Sequence, residues 1–348
     1  MRAIAVSAFG SDPALVEIPK PEPEAGEVRV RVEYAALNPC DWQAAQSSRS
    51  SQDSQGSQGS QGSQNSQNSQ DSQDSQDSQD SQDNGTVPQA FPLVVGVDFA
   101  GRVDMIGSGA NRFRVGDQVF GRVAGPAVGN GTYCDYVSVP QDSAITLVPH
   151  GLPLRTAAAL PSAGMAAAQI LEIAVLRGHE SLLVIGAAGG VGSCLTQLAS
   201  ARDVRVLAAV RGDEHTRMTA LGATVTIDTT DRPLEAAVRE TCPDGVDALV
   251  DLVSTTPEDF AARAALVRGG GIALTTRGVA TGAALPAGVT GIDFRLEPTP
   301  VLLDVLAAGA AEGVLRVPID IELPLEKAPQ ALERNRTGGA RGKTVIAL

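Results

Sequence analysis

The residues best suited to chemistry in this chain of 348 residues are glycines. Gly186, Gly189 and Gly192 recur every three residues at the end of the apolar run Leu182-Leu183-Val184-Ile185, and Val191, Leu195 and Leu198 continue at helical spacing. That order reads as strand, tight turn and helix start. Its chemistry is the binding of a pyrophosphate, because glycines let the main chain come close while the unpaired N–H groups and positive dipole of the helix hold the charge. The whole turn, Gly186, Ala187, Ala188, Gly189, Gly190, Val191 and Gly192, is therefore assigned to a dinucleotide. In such folds the end of the second strand reads the ribose: an acid favours a free 2′-hydroxyl, a base a 2′-phosphate. That point falls at Val210-Arg211, so Arg211 favours NADPH, with Arg217 on the next helix as a second contact. Asp213 and Glu214 close by offer the alternative of a 2′-hydroxyl. Ser254, just past the strand at 248–253, and Lys343 near the C terminus are counted with the cofactor contacts.

These residues need a scaffold. Strands are expected at 182–185, 204–210, 224–227, 248–253 and 272–275, with helical patterns between them, which predicts a parallel, doubly wound α/β sheet of the Rossmann type. The N-terminal part carries short β signals instead, at Val28 to Val32, Leu93 to Met105, Gln118 to Arg122 and Tyr133 to Pro140, and their spacing suggests a small irregular barrel. The stretch from Leu154 to Leu176 holds Arg155, Pro161, Gln169 and Glu172 and is mostly alanine, so it reads as buried helix and not as a membrane span. After Pro298 come a helix, a strand near Arg316 to Ile321, another helix and a last strand, Thr344 to Leu348. The resulting division is 1–150, 151–297 and 298–348, with the last piece rejoining the first.

Composition narrows the partners. Asp and Glu outnumber Lys and Arg by 40 to 27, a formal charge of -13, and such a surface repels phosphate backbones, which argues against nucleic acid. Cys40, Cys134, Cys194 and Cys242 form no CxxC pair, so neither a zinc knuckle nor a disulfide framework is implied and a reducing cytoplasm fits. The start, Met1 to Gly10, has too short an apolar run for a signal peptide and reads as a strand. From Ser51 to Asp83 the chain is eleven Ser-Gln-X triplets, which cannot bury apolar surface; 47–86 is read as a disordered insertion.

Several motifs in order carry a resemblance: Ala35-Ala36-Leu37-Asn38-Pro39-Cys40-Asp41-Trp42, Gly96-Val97-Asp98-Phe99-Ala100-Gly101, Phe113 through Gly121, Gly131 through Val137, Ala157 through Pro161, the glycine turn, Leu221-Gly222-Ala223, and Gly342-Lys343-Thr344-Val345. With them the chain resembles zinc-free members of the medium-chain dehydrogenase/reductase superfamily, of the quinone oxidoreductase type. The resemblance implies a GroES-like catalytic barrel, a Rossmann domain, a cleft between them, and a homodimer. Where the zinc branch has a cysteine, a His-Glu pair and a further cysteine, this chain has Asn38, Val97-Asp98 and Pro161-Ser162, so no metal is expected.

Carbonyl polarisation then falls to hydrogen bonds, which suits hydride addition to a quinone or enone, since such an acceptor spreads the developing charge itself. Asn38 is the expected donor to the substrate oxygen or a water, with Asp41 orienting it; the same pair also reads as a turn and a helix cap. Trp42, by the resemblance, is a flat wall of the cleft, and otherwise a core plug. Tyr133 and Tyr136 read as packing residues. Two departures stand out: Ala166 replaces a threonine common in the family, and the triplet tract replaces a loop that lines the cleft in relatives. The same motifs serve enoyl reductases and would also serve a non-catalytic NADPH-binding protein. Because each doubling of a flexible loop costs only about 0.6 kcal/mol, deleting 51–83 should change folding stability by less than about 1 kcal/mol in urea unfolding.

Overall fold

The computed structural model describes residues 1–8, 10–46, 91–124 and 131–348, with side chains 43–46 outside that description. The insertion expected over 47–86 lies outside the described residues.

The first unit is built from β1 (Arg2–Val6), β2 (Ala14–Glu17), β3 (Glu27–Ala36), α1 (Pro39–Gln46), β4 (Leu93–Val94), β5 (Asp98–Ile106), β6 (Gln118–Arg122), β7 (Tyr136–Pro140) and β8 (Ile145–Leu147). β3 is its spine. Val28, Val30 and Val32 alternate inward and are buried with Val103, Val119 and Val137, which gives the period-two pattern its purpose. The run from Leu93 to Met105, read as one strand, is two: it breaks between β4 and β5 at Gly96. There φ is +96°, and a Cβ would stand 2.3 Å from the ring of Tyr133. A glycine lets the chain turn under that ring.

The second unit runs α2 (Leu154–Ala159), α3 (Pro161–Ala174), β9 (Ser181–Ile185), α4 (Gly190–Ser200), β10 (Arg205–Val210), α5 (His215–Ala220), β11 (Val225–Asp228), α6 (Leu234–Thr241), β12 (Val246–Asp251), α7 (Pro257–Ala264), β13 (Val267–Thr275) and β14 (Thr290–Asp293). Its six strands are parallel in the order β11-β10-β9-β12-β13-β14. The order reverses beside β9, so the strand ends open a crevice there, which is where doubly wound sheets bind ligands. Apolar residues are buried on both faces, Leu182 and Val184 on one side and Leu183 and Ile185 on the other, as a sheet covered twice requires. The stretch from Leu154 to Leu176 is two helices. Pro161 cannot continue α2 and instead takes the first turn of α3, which presents Ser162 at a helix start. β14 escaped sequence reading because Thr-Gly-Ile-Asp at an edge carries almost no apolar signal.

The chain then passes through α8 (Pro300–Ala311) to β15 (Ile319–Pro324), α9 (Ala328–Arg336) and β16 (Lys343–Ala347). β16 pairs antiparallel with β3, Val345 opposite Ala36, while β5 pairs with the other edge of β3, Asp98 opposite Ala36. Among the described residues no helix is long and apolar enough to cross a membrane. Gly96→Ala should destabilise the fold by on the order of 3 kcal/mol, measured by denaturant unfolding, because it adds both a disfavoured φ and a clash with a buried ring.

Candidate active site

The register at Ala36 collects the polar groups. Asn38 leaves the end of β3, Asp98 opens β5 and Lys343 opens β16, and all three are buried, at 6%, 0% and 4% exposure. Lys343 Nζ donates to Asn38 Oδ1 at 2.6 Å and to Leu37 O at 2.8 Å, and lies 3.6 Å from Asp98 Oδ2. Asn38 Nδ2 donates to Asp98 Oδ2 at 2.9 Å and to Ala36 O at 3.2 Å. Ser162, at the start of α3, closes the group: its Oγ donates to Asp98 Oδ1 at 2.6 Å and its N–H to Oδ2 at 3.2 Å. Arg122 Nε in turn donates to Ser162 Oγ at 3.1 Å. Both amide hydrogens of Asn38 are thus committed within the protein. The donor role expected of it toward a substrate is not free in this arrangement.

Asp41 lies directly beneath. It is fully buried, and its Oδ2 accepts from the Asn38 N–H at 2.8 Å and from the Tyr133 hydroxyl at 2.7 Å. The first bond is a helix cap on α1, so the cap reading of Asp41 describes its geometry. Burial pushes its carboxyl up to about 7, opposed by those two hydrogen bonds and assisted by the charge of Asp98. Tyr133, expected only to pack, does pack and also carries this bond, which no local sequence pattern signals across 92 positions. Cys40 is no nucleophile at neutral pH, since burial and then the charge of Asp41 push its thiol up to about 12. Trp42 joins a different group. It packs against the apolar cluster of Ile4, Leu37, Leu332 and Ile346, and its Nε1 is buried without a partner among the described residues.

The glycine turn meets this cluster through Lys343. A Cβ on Gly190 would stand 2.7 Å from Lys343 Cδ, so the lysine stem crosses the turn at a point that only glycine leaves open. Gly189 caps α4 without a side chain, leaving the N–H groups of Gly190, Val191 and Gly192 without helical acceptors. Gly186 and Ala187 shape the turn by donating their N–H groups to Ala209 O, and the Ala187 methyl faces the core; Ala188 contributes its carbonyl to Arg217. Beyond β10, Arg211 is exposed. Arg217 donates to Glu214 Oε2 at 2.6 Å and Ala188 O at 3.1 Å, while its Nη1 is buried without a partner among the described residues. Arg341 reaches over from the C-terminal segment, pairing with Glu214 Oε1 at 3.2 Å and lying 3.1 Å from where a Cβ on Gly212 would be. It was missed in the sequence, although it stands two residues before Lys343. The Ser254 hydroxyl is likewise buried without a partner among the described residues, on the β12 side of the crevice. Backbone donors at a helix start, arginines at the second strand and unpaired buried donors fit a dinucleotide phosphate ester.

Residues 221–346 match the family described as zinc-binding dehydrogenase, and residues 66–150 match the alcohol dehydrogenase GroES-like domain. The chloroplast envelope quinone oxidoreductase homolog of Arabidopsis thaliana is 25% identical over 360 residues, spanning 99% of this chain and 98% of that relative. An acrylyl-CoA reductase, AcuI, of Ruegeria pomeroyi is 36% identical across 63% of this chain and 65% of its own length. The solved quinone oxidoreductase of Coxiella burnetii superimposes with a TM-score of 0.79 at 25% identity, over 100% of this chain and 99% of that one.

The folded state holds the Asp41 proton more tightly than the unfolded chain, whose carboxyl titrates near 3.8. Its contribution to stability is therefore full at acid pH and is lost as pH rises toward 7. Asp41→Asn keeps one oxygen for both hydrogen bonds and should remove that slope, on the order of 2–4 kcal/mol, as read by denaturant unfolding across the pH range.

Proposed function

We propose that this chain, which belongs to the medium-chain dehydrogenase/reductase superfamily of oxidoreductases and has quinone oxidoreductase-like relatives, reduces quinones or α,β-unsaturated carbonyls with NADPH and without zinc. The observation that carries the cofactor half is the group at the β10 tip. Arg341 lies over Gly212, Arg211 precedes it in the chain, and Arg217 and Arg341 converge on one buried carboxylate, Glu214. A 2′-phosphate brings two negative charges and several acceptors to donors of this kind, whereas a 2′-hydroxyl needs only a carboxylate. NADPH, when bound, supplies the hydride. The protein's part is to hold the dinucleotide along the crevice and to offer a cleft whose polar groups are fixed beforehand.

Hydride transfer to a conjugated acceptor also suits the chemistry of the cluster. Asn38 has no spare donor, so the substrate must delocalise most of its own developing charge, as quinones and enones do. Asn38 and Asp41 then act by holding the floor of the cleft, and Trp42 by packing it. The acrylyl-CoA reductase among the relatives adds small 2-enoyl thioesters to the acceptors worth testing. A cytoplasmic location accords with four free cysteines, and a homodimer with the open edge of β14.

The test is NADPH oxidation with a panel of quinones, 2-alkenals and a 2-enoyl thioester. Turnover with at least one class is expected, and binding without turnover would make the protein a non-catalytic dinucleotide binder. Arg211→Ala and Arg341→Ala should each raise the KM for NADPH roughly tenfold and leave that for NADH unchanged, the loss of one charge-assisted bond. Equal affinities for the two cofactors before and after both substitutions would refute the NADPH assignment.

A further inference from the structure

The family description implies zinc, and the residues at the corresponding place do not fit it. Asn38, Asp98 and Ser162 stand where the zinc branch carries its ligands, and they include neither sulfur nor imidazole. Their oxygens are already engaged. Asn38 Oδ1 accepts from Lys343, Asp98 Oδ1 from the Ser162 hydroxyl, and Asp98 Oδ2 from Asn38 and the Ser162 N–H. A divalent ion would have to strip these bonds and meet an ammonium held 3.6 Å from the carboxylate.

We propose that Lys343 is the resident cation of this site: a positioning residue whose ammonium provides, from the protein's own chain, the fixed positive charge around which Asn38 and Asp98 are ordered. Three observations carry this. Lys343 and Asp98 are both withdrawn from water, at 4% and 0% exposure, and a buried charge persists only when paired and hydrogen-bonded. The Asn38 amide bridges them, its carbonyl oxygen on the cation and its N–H on the anion, so the two charges align one dipole and fix one orientation of that side chain. The lysine stem lies across Gly190, which ties the ammonium to the turn assigned to the dinucleotide. Lys343, counted with the cofactor contacts from the sequence, turns its Nζ inward to Leu37 O and Asn38 Oδ1.

The turnover part of this inference rests on the reductase reading above; the charge assignment does not. Three variants test it: Lys343→Met, Asp98→Asn, and the two together. Each single substitution leaves one buried charge without its partner and should lower Tm by about 5 °C or more, while the double variant should regain most of that loss. In the double variant NADPH affinity, read by cofactor fluorescence, should stay within about threefold of the native protein while kcat falls at least tenfold, because what is lost is order at Asn38 and not a cofactor contact. A double variant no more stable than Lys343→Met, folded or not, overturns the proposal. So does a tenfold or larger loss of NADPH affinity in Lys343→Met that Asp98→Asn does not relieve, the pattern of a direct phosphate contact. Metal analysis of the native protein should find no bound zinc, and stoichiometric zinc lost on replacing Asp98 would also overturn it. The stability and metal measurements need no turnover, so absence of reductase activity throughout would refute the function and leave the cation assignment to be decided by them.

Discussion

The C-terminal end of β3 is paired on both edges, and the site follows from the register at Ala36. Ala36 faces Asp98 across one ladder and Val345 across the other. Backbone hydrogen bonding therefore brings together three positions spread over 305 residues, Asn38, Asp98 and Lys343, before any side chain interaction is considered. A slip of one residue in either ladder would turn Asp98 or Lys343 to the opposite face of the sheet and dissolve the cluster. The bulges that shift the register between β3 and β5 belong to the same constraint, since they decide which residue of β5 reaches Ala36.

The electrostatics of the cluster are those of a small buried volume holding two carboxyl groups and one ammonium. Lys343 stands close to Asp98, and Asp98 has no exposure to water. Among the described residues Asp41 has no ion-pair partner of its own and relies mainly on hydrogen bonds from Asn38 and Tyr133, with a smaller pull from Lys343; burial together with the charge of Asp98 pushes its carboxyl up to about 7. One cation offsets one anion, and the second acid is held near the point of neutralisation. The division is geometric: Asp41 sits under Tyr133 and the start of α1, Asp98 beside the lysine. Gly96 belongs to this economy of space, because only a residue without Cβ lets the Tyr133 ring pass and reach Asp41.

Much of the frame was legible in the sequence. The parallel sheet announced itself through apolar strands followed by helical patterns, and the glycine turn through its spacing, because these signals are local. The polar cluster was not legible in the same way. Asn38, Asp98 and Lys343 each appear in the motifs that carry the family resemblance, and Ser162 directly follows one, yet nothing in the spacing says that the lysine turns toward Asn38 and not outward. Tyr133 read as a strand residue because its bond to Asp41 crosses 92 positions, and Arg341 was invisible because its partner, Glu214, belongs to another unit of the fold. The strand break at Gly96 and the helix break at Pro161 were misread for a related reason: an apolar run hides an interruption that backbone geometry, and not hydrophobicity, imposes.

The C-terminal segment shows why the chain returns to the barrel where it does. Arg341 and Lys343 are two residues apart, and they reach opposite ends of the crevice mouth, Arg341 to Gly212 at the tip of β10 and Lys343 across Gly190 at the start of α4. Gly342 between them adopts φ +125°, with the Pro318 carbonyl 2.6 Å from where its Cβ would be, so the turn that separates the two side chains has no room for another residue type. The segment is fixed at both ends, by the Lys343 N–H on Pro318 O and by the Arg341 N–H on Asp320. A ligand laid along the glycine turn would therefore touch parts of the chain held rigidly by the barrel as well as by the parallel sheet. Because the strand that carries Lys343 is hydrogen-bonded to β3 itself, the residue that crosses the glycine turn and the residue that orders Asn38 are one and the same, held by one ladder.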